Sequence, residues 1–337
     1  MVRVIESYRL GMTRRRLLWR ARRQGRRLRP VADRTAAIRP GDILLAVVQR
    51  NEMPRLPYFL DWYRRLGVAH VLAVDNGSDD GSRDWLADQP DVSVWTTPDS
   101  YRAARFGMDW LTHLLGRHGH DHWVVTADPD EFLVYPFHDS RPLAALTGWL
   151  DAAQARSYPA MLLDMYPRGA VDESRYRPGD DPFETACWFD AANYTIRPNP
   201  VHGNLWIQGG PRARAMFADR PGLAPSLNKI PLVRWRRGYV YTSSTHMLLP
   251  RGLNRVWDRL GGERPAGCLM HAKFLSPMAA KVAEEMERGE HFAGGLEYRA
   301  YAEALAGGGG FWTPWSTRFA GWRQLERLGL MSRGGWA

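Results

Sequence analysis

The sequence predicts an α/β protein built on a mostly parallel, doubly wound sheet. Three observations carry that expectation. From residue 40 onward, short β-branched runs alternate with stretches of helical periodicity, the pattern of βα units around one sheet. Polar residues gather directly after the strand-like runs, at the carboxyl ends where such sheets take ligands. The chain has 337 residues, 45% hydrophobic, 24% charged and 12% aromatic, with a mean hydropathy of -0.43. That composition supports a large core and excludes disordered, collagenous and multispanning classes.

Each element has its own local reason. After Pro40 and Gly41, residues 43–48 read as a buried first strand. Residues 57–66 space their apolar side chains as a helix does and stop at Gly67. A second strand over 68–74 delivers Asp75 and Asn76. The run 76–82 is a turn in which Asp80 or Ser82 caps a short helix near 84–87. A strand over 92–96, a helix over 103–115 and a fourth strand over 123–127 follow, the last running into Asp128, Pro129, Asp130, Glu131 and Phe132. A helix over 143–155 and a strand over 160–165 come next, and crowded proline, glycine and tryptophan make 166–230 irregular. Later strand-like runs cover 231–235, 239–242 and 268–275, with helices near 277–288, 297–306 and 317–328. Glycines 307–310 form a joint ahead of a Trp-rich tail, and no internal repeat is present.

The net charge of +10 sits at one end. Residues 1–30 hold eleven arginines against one acid, Glu6, which leaves 35 of 46 basic and 35 of 36 acidic residues for the rest. As a helix over 8–29 this arm sets Leu10, Leu17, Leu18, Trp19 and Leu28 beside a cationic face, which suits an anionic membrane surface. A solvated, poorly ordered terminus and an organellar transit peptide are the other readings. No nucleic-acid partner is expected. No uncharged apolar run approaches the ~18 residues that cross a bilayer, so the expected setting is cytoplasmic, peripheral to the inner membrane face. Cys187 and Cys268 stand alone, 81 positions apart, which excludes a CxxC zinc site and gives no sign of a disulfide framework. The expected division is a basic arm over 1–39, a catalytic domain over 40–275, and C-terminal helices with the tail packed on it over 276–337.

Three strand ends present the candidate site. The first yields Arg50, Asn51 and Glu52, the second Asp75 and Asn76, the fourth Asp128 and Asp130. A carboxylate after the second strand is placed to hydrogen-bond a nucleoside. Two carboxylates two apart in an extended segment point the same way and can share one hard cation, which would carry a diphosphate. The plainer readings are an Asx turn at Asp75 and an ordinary acidic loop over 128–130. His118, His120 and His122 alternate as on one strand face, although their GHDH setting suits a solvated loop. His202 and His246 are acceptor-site candidates or buried hydrogen-bonded histidines. Trp188, Trp206, Trp235, Trp312 and Trp315 can stack on sugar rings or simply pack. Without a GxxxxGK[ST] loop, GxSxG elbow or HExxH helix, the ATPase, serine hydrolase and zincin readings lack their machinery.

The runs RNE (50–52), YFLDWYRRLGV (58–68), VDNGSDDGS (74–82) and DPDEF (128–132) resemble the family 2-like glycosyltransferases of bacteria, which have a GT-A type nucleotide-sugar fold. GGPRAR (209–214), Lys229 within NKIPLVRW, STH (244–246) and HAKF (271–274) are similar to later motifs of that group. The resemblance covers about 40–330 and leaves the arm aside. It implies that Asn51 and Asp75, with Glu52 and Asn76 beside them, help hold the nucleotide. It implies that Asp128 and Asp130 take Mn2+ or Mg2+ against the diphosphate and that His271 closes over the metal or diphosphate. Arg212, Arg214 and Lys229 become candidate donors to the departing diphosphate, or surface ion pairs.

The implied activity is metal-dependent transfer of a sugar from a nucleotide-sugar donor, above all a UDP-sugar, to a carbohydrate or lipid-linked acceptor in cell-surface polysaccharide synthesis. An inverting transfer needs a carboxylate base opposite the leaving group. Asp164, Glu184 and Asp190 are the candidates, because the ED pair of other GT-A enzymes has no obvious position in this chain. A nucleotidyltransferase is the rival enzyme, although residues 49–54 are not its Gly-rich basic phosphate loop. A non-catalytic protein using the arginine arm on nucleic acid or membrane is the rival from another class.

Overall fold

The computed structural model describes residues 2–172, 174–256, 262–278, 282, 284, 301 and 310–336. The chain opens with a 24-residue helix, α1 (Val2–Gly25), and a short strand, β1 (Arg29–Ala32). Regular βα units follow: β2 (Ile43–Gln49), α2 (Leu56–Leu66), β3 (His70–Asp75), α3 (Ser82–Ala87), β4 (Val92–Thr96), α4 (Met108–His118) and β5 (Trp123–Thr126). Next come β6 (Glu131–Val134), α5 (Leu143–Ala152), β7 (Ser157–Asp164), α6 (Pro182–Thr185), β8 (Trp188–Phe189), β9 (Tyr194–Asn199), β10 (Asn204–Gly209) and α7 (Gly210–Met216). The chain ends with β11 (Asn228–Arg234), β12 (Val240–Ser243), β13 (Met247–Leu249), β14 (Gly267–His271), β15 (Thr317–Arg318) and α8 (Trp322–Arg327).

Nine strands join one sheet in the order β1-β4-β3-β2-β5-β11-β7-β14-β6. β2 pairs in parallel with β3 and β5, β3 with β4, and β7 with β14. β1, β11 and β6 run against their neighbours, so six of the nine strands share one direction. The result is a mixed α/β sheet with a mostly parallel centre, as the alternating runs predict.

The period-2 alternation of β2 shows how the core is split. Ile43, Leu45 and Val47 face α2, where Leu56, Phe59, Leu60 and Tyr63 cover them. Leu44, Ala46 and Val48 face the other way, under Trp110, Leu111, Leu114 and Leu115 of α4. Both faces are buried, so the strand reads as an unbroken apolar run. Trp322, Leu325, Met331 and Trp336 of the C-terminal tail complete the α2 face.

Several boundaries depart from the sequence reading. The helix expected over 103–115 starts only at Met108, because Arg105, Phe106 and Gly107 all adopt left-handed backbone, with φ of 52, 57 and 76°. Within 166–230, β9 and β10 form a regular antiparallel hairpin. β11 begins at Asn228, three residues before the expected start, with a register shift between Lys229 and Leu232 that accommodates Pro231. The helix expected over 317–328 is a strand, Thr317–Arg318 on Trp188–Phe189, before α8. The helices expected near 277–288 and 297–306 and most of the glycine joint lie outside the described residues.

The arginine arm is a docked helix, which corrects the reading of it as poorly ordered. Ala21 is buried against α4, and Gly25 approaches so closely that a Cβ there would fall 2.0 Å from Cγ of His113. Arg20 donates to buried Asp109, which Arg105 also grips, and Arg27 pairs with Asp99. Burial in this seam, with Arg117, His118, Arg22 and Arg26 nearby, pushes the His113 imidazole down to about 4. An unfolded imidazole takes its proton near ~6.5. Stability is therefore complete above that value and declines as pH falls toward the lower one, because the unfolded chain binds the proton first. The melting temperature should fall on acidification from about pH 7 to about pH 5, and fall less in His113→Gln. Equal losses in the two proteins, read by scanning calorimetry, would contradict this coupling.

Candidate active site

Strand register builds the centre of the site. β7 and β14 run parallel with Asp164 beside His271, and β6 runs antiparallel with Glu131 beside His271 on the other flank. All three residues end or begin their strands at the same rim, next to the loop that carries Asp128 and Asp130. The backbone N–H of Ala272 donates to the Asp130 carbonyl at 2.8 Å, which fixes that loop to β14.

His271 Nδ1 donates to Asp164 Oδ1 at 2.6 Å, and its Nε2 lies 3.3 Å from Asp130 Oδ2. Arg212 Nε donates to the other Asp164 oxygen at 2.7 Å. Arg212 reaches this point because α7 leaves β10 through Gly209 and Gly210. Gly209 has φ 146° and a Cβ there would fall 2.3 Å from the Asn193 carbonyl oxygen, a position that only glycine fills. Beside this array, Lys229 Nζ pairs with Glu131 Oε1 at 2.7 Å and lies 3.9 Å from Asp128 Oδ2. Arg55 donates to Glu52 at 2.8 Å and adds positive charge near Asp130.

The electrostatics follow from this alternation. Burial works against charge on Asp164, but Arg212 and His271 hold its carboxyl down at about 2. Burial likewise disfavours charge on Asp130, yet His271, with Arg55 and Lys273 beyond it, keeps its carboxyl far below the usual range. Burial would lower His271, and the two carboxylates raise it to about 9 instead. Burial would lower Lys229 too, and Glu131 and Asp128 raise it. Asp128 differs. Its recess and the adjacent Glu131 push its carboxyl up to about 7, with Lys229 opposing, and its side chain is 45% exposed.

A second set of loops adjoins this centre. Asp75 is fully buried at the end of β3, and its oxygens accept from Gln49 Nε2 at 2.8 Å, Gly77 N at 3.1 Å and Thr96 Oγ1 at 3.1 Å. The Asp75 carboxylate thus organises its own turn and has no surface facing a cleft. Asn76 Nδ2 donates to the carbonyls of Thr97 and Asp99. Asn51, left-handed at φ 51°, bridges Asp79 N and Glu284 Oε1. The structure therefore brings Asp128, Asp130, Lys229, His271, Asp164 and Arg212 together, with Asn51, Glu52, Asp75 and Asn76 in the adjoining loops.

Two of the three candidate bases, Asp164 and Asp190, have both carboxylate oxygens engaged and are poorly placed to take an acceptor proton. Asp164 is 1% exposed at its side chain and both oxygens are occupied by His271 and Arg212. Asp190 is gripped by both arms of Arg214 and by the Tyr166 hydroxyl. Glu184 lies exposed on α6, with no ion-pair partner among the described residues. Next to Arg214 a cavity of about 250 Å³ opens between the β9–β10 hairpin and α7, lined by Asn193, Thr195, Arg197 and Gln208. The histidines of the GHDH run do not converge: His118 stacks on Trp95 and His122 donates to the Asp42 carbonyl. Trp235 is core, Trp188 and Trp312 pack edge to face, and Trp315 is exposed.

Sequence reasoning missed Arg55 and Glu131 as parts of the site. Glu131 was visible inside DPDEF, and Arg55 stands three residues after Glu52, a spacing at which a turn can pair them. Among the described residues no group of three or more His, Cys, Asp or Glu is placed to hold a metal. Asp130 and His271 nevertheless fit as two donors to one ion. Their 3.3 Å separation is close to the about 3 Å between adjacent ligands of a hard cation bound at ~2.1 Å. The carboxylate behind Nδ1 is the partner that metal-bound histidines commonly have. Divalent ions that serve phosphates need only one or two protein carboxylates, with substrate and water filling the rest.

The fold and rim define an α/β protein with a buried, alternating charge array at the carboxyl ends of its parallel strands. No family model matches the chain, and no curated protein does. Among solved structures, a crystal structure titled 4-diphosphocytidyl-2C-methyl-D-erythritol synthase matches 42% of this chain and 67% of its own, at 14% identity and a TM-score of 0.26. A likeness of that extent has no bearing on function.

Lys229→Met would leave Glu131, 2% exposed, buried without its cation. Breaking a buried pair in this way costs about 3 kcal/mol, and urea denaturation should show a loss of that order. A loss under about 1 kcal/mol would mean that the pair does not hold the rim together.

Proposed function

We propose that the chain is a glycosyltransferase that moves a sugar from a nucleotide-diphosphate sugar, a UDP-sugar in the first instance, to a hydroxyl of a carbohydrate or lipid-linked acceptor. The observation that carries this reading is the meeting of Asp130, His271, Asp164, Arg212 and Lys229 at one rim, beside the loop formed by the VDNGSDDGS run. Six parallel strands end at that rim, where open α/β sheets take nucleotides.

In the transfer, the acceptor hydroxyl gives its proton to surrounding water and its oxygen bonds to the anomeric carbon while the bond from that carbon to the diphosphate breaks, and the electron pair stays on the diphosphate. Asp130 and His271 would hold a divalent ion, which when bound would supply positive charge where that negative charge grows. The chain's own residues arrange this. Asp164 takes the Nδ1 proton of His271 in a hydrogen bond, which turns Nε2 toward Asp130. Arg212 keeps Asp164 ionised, and with it the orientation of the imidazole. Lys229 sits between Glu131 and Asp128, bringing a fixed cation to the edge of the site. Asn51, Asn76 and their loop shape the neighbouring ground for the nucleoside.

A panel of nucleotide sugars, assayed for nucleoside diphosphate release with and without Mn2+, tests the reading. One donor should be turned over in a metal-dependent manner. Asp130→Asn should lower that rate by on the order of a hundredfold or more, with some fall in melting temperature from the lost pairing to His271 but a folded protein at the assay temperature. Full activity in the variant would refute the role of Asp130. Pyrophosphate release from a nucleoside triphosphate and a sugar phosphate would instead mark a nucleotidyltransferase.

A further inference from the structure

The docking of α1 separates two apolar stripes. Leu10, Leu17, Leu18 and Ala21 turn toward the body, and Ala21 and Leu28 join the packing around α4. A different set faces out: Ile5 at 47% exposure, Tyr8 at 69%, Met12 at 47% and Trp19 at 61%. These four are three, four and seven residues apart, so on a 3.6-residue helix they fall in one line. Arg9, Arg15, Arg16, Arg22, Arg23 and Arg26 are exposed on either side of that line. The ion pairs of the arm belong to Arg20 and Glu6 on α1 and to Arg27 just after it, and those six arginines, of which Arg26 directly follows α1, make none among the described residues. Arg23 instead lies over the Trp19 ring, 5.9 Å from its centroid.

We infer that this outward face of α1 docks the protein on an anionic phospholipid bilayer. The face combines an exposed line of Ile, Tyr, Met and Trp with unpaired guanidinium groups, so apolar side chains enter the headgroup region while arginines meet lipid phosphates. Tyrosine and tryptophan are the residues that settle at that depth. A second copy of the chain is a poor occupant, since the face would meet its own positive charge. A nucleic acid would use the arginines and leave the apolar line in water. Among the described residues no helix is long and apolar enough to cross a membrane, so the contact is made by a helix lying in the surface. α1 is tied to the body that carries the rim, because Arg27 holds Asp99, whose carbonyl accepts from Asn76. The inference is independent of the transferase reading, since none of its residues belongs to the rim.

Sedimentation of the full chain with vesicles tests it, using phosphatidylcholine alone and phosphatidylcholine mixed with phosphatidylglycerol. The wild type should bind the mixed vesicles and not the neutral ones. The triple variant Arg15→Gln, Arg16→Gln, Arg23→Gln should bind on the order of a hundredfold more weakly. The triple variant Tyr8→Ser, Met12→Ser, Trp19→Ser should also lose most binding with an unchanged melting temperature, because all three side chains are exposed. Failure of the wild type to bind mixed vesicles would overturn the inference. So would wild-type binding by the serine variant, or release of the protein from vesicles by single-stranded RNA that the serine variant still binds.

Discussion

The imidazole of His271, clamped between two carboxylates, is the interaction on which the rim depends. A buried ion is tolerated only when opposite charge meets it on every open side. Here the signs alternate from Arg212 to Asp164, to His271, to Asp130, and on to Arg55 and Glu52. Each interior member has two opposite neighbours. The array crosses from α7 through the ends of β7 and β14 to the loops after β5 and β2, so it ties five separate stretches of chain together at one rim. Strand register makes this possible, because the β7–β14 and β14–β6 pairings set Asp164, His271 and Glu131 side by side.

The sheet was legible because its strands are short, buried on both faces and bounded by turn residues. Residues 43–49 and 92–96 are the clearest cases. The loop over 128–132 was legible for a related reason, since charged residues directly after an apolar run must lie at a strand end. Contacts of the array were not legible. Arg212 and Asp164 are 48 residues apart and His271 and Asp164 are 107 apart, and no local pattern announces a pairing made by β-register and a glycine turn. The apolar stripe of the arm misled in an instructive way. The stripe expected beside the arginines divides: Leu10, Leu17 and Leu18 are half-buried and Leu28 packs on the α4 cluster, while Trp19 stays outside with Ile5, Tyr8 and Met12.

Asp75 shows why a residue type in a familiar run does not by itself define a contact. Its carboxylate is wholly engaged by Gln49, Gly77 and Thr96, and the turn that results presents Ser78 to the backbone of Asn51. The contribution of Asp75 to the loops around it is thus exerted through shape. Removing the carboxylate would free several donors at once, and the loops after β2 and β3 would lose their common fastening.

The same logic explains the acids on the far side of the site. Asp190 joins Arg214 and Tyr166, the Ser316 hydroxyl bonds to the Tyr166 oxygen at 2.9 Å, and Arg214 donates to the Phe311 carbonyl at 2.7 Å. Phe311 in turn packs with Tyr166, Phe274 and Tyr301 in a separate apolar cluster. Phe274 follows His271 by three residues, and Tyr301 reaches Arg212. The tail therefore closes on the same strand ends that carry the charge array. An acid that fastens this closure is tied on every oxygen, which is why it is a poor proton acceptor and a good strut. Open ground remains in the cavity beside Arg214 and at Asp128, whose side chain is 45% exposed.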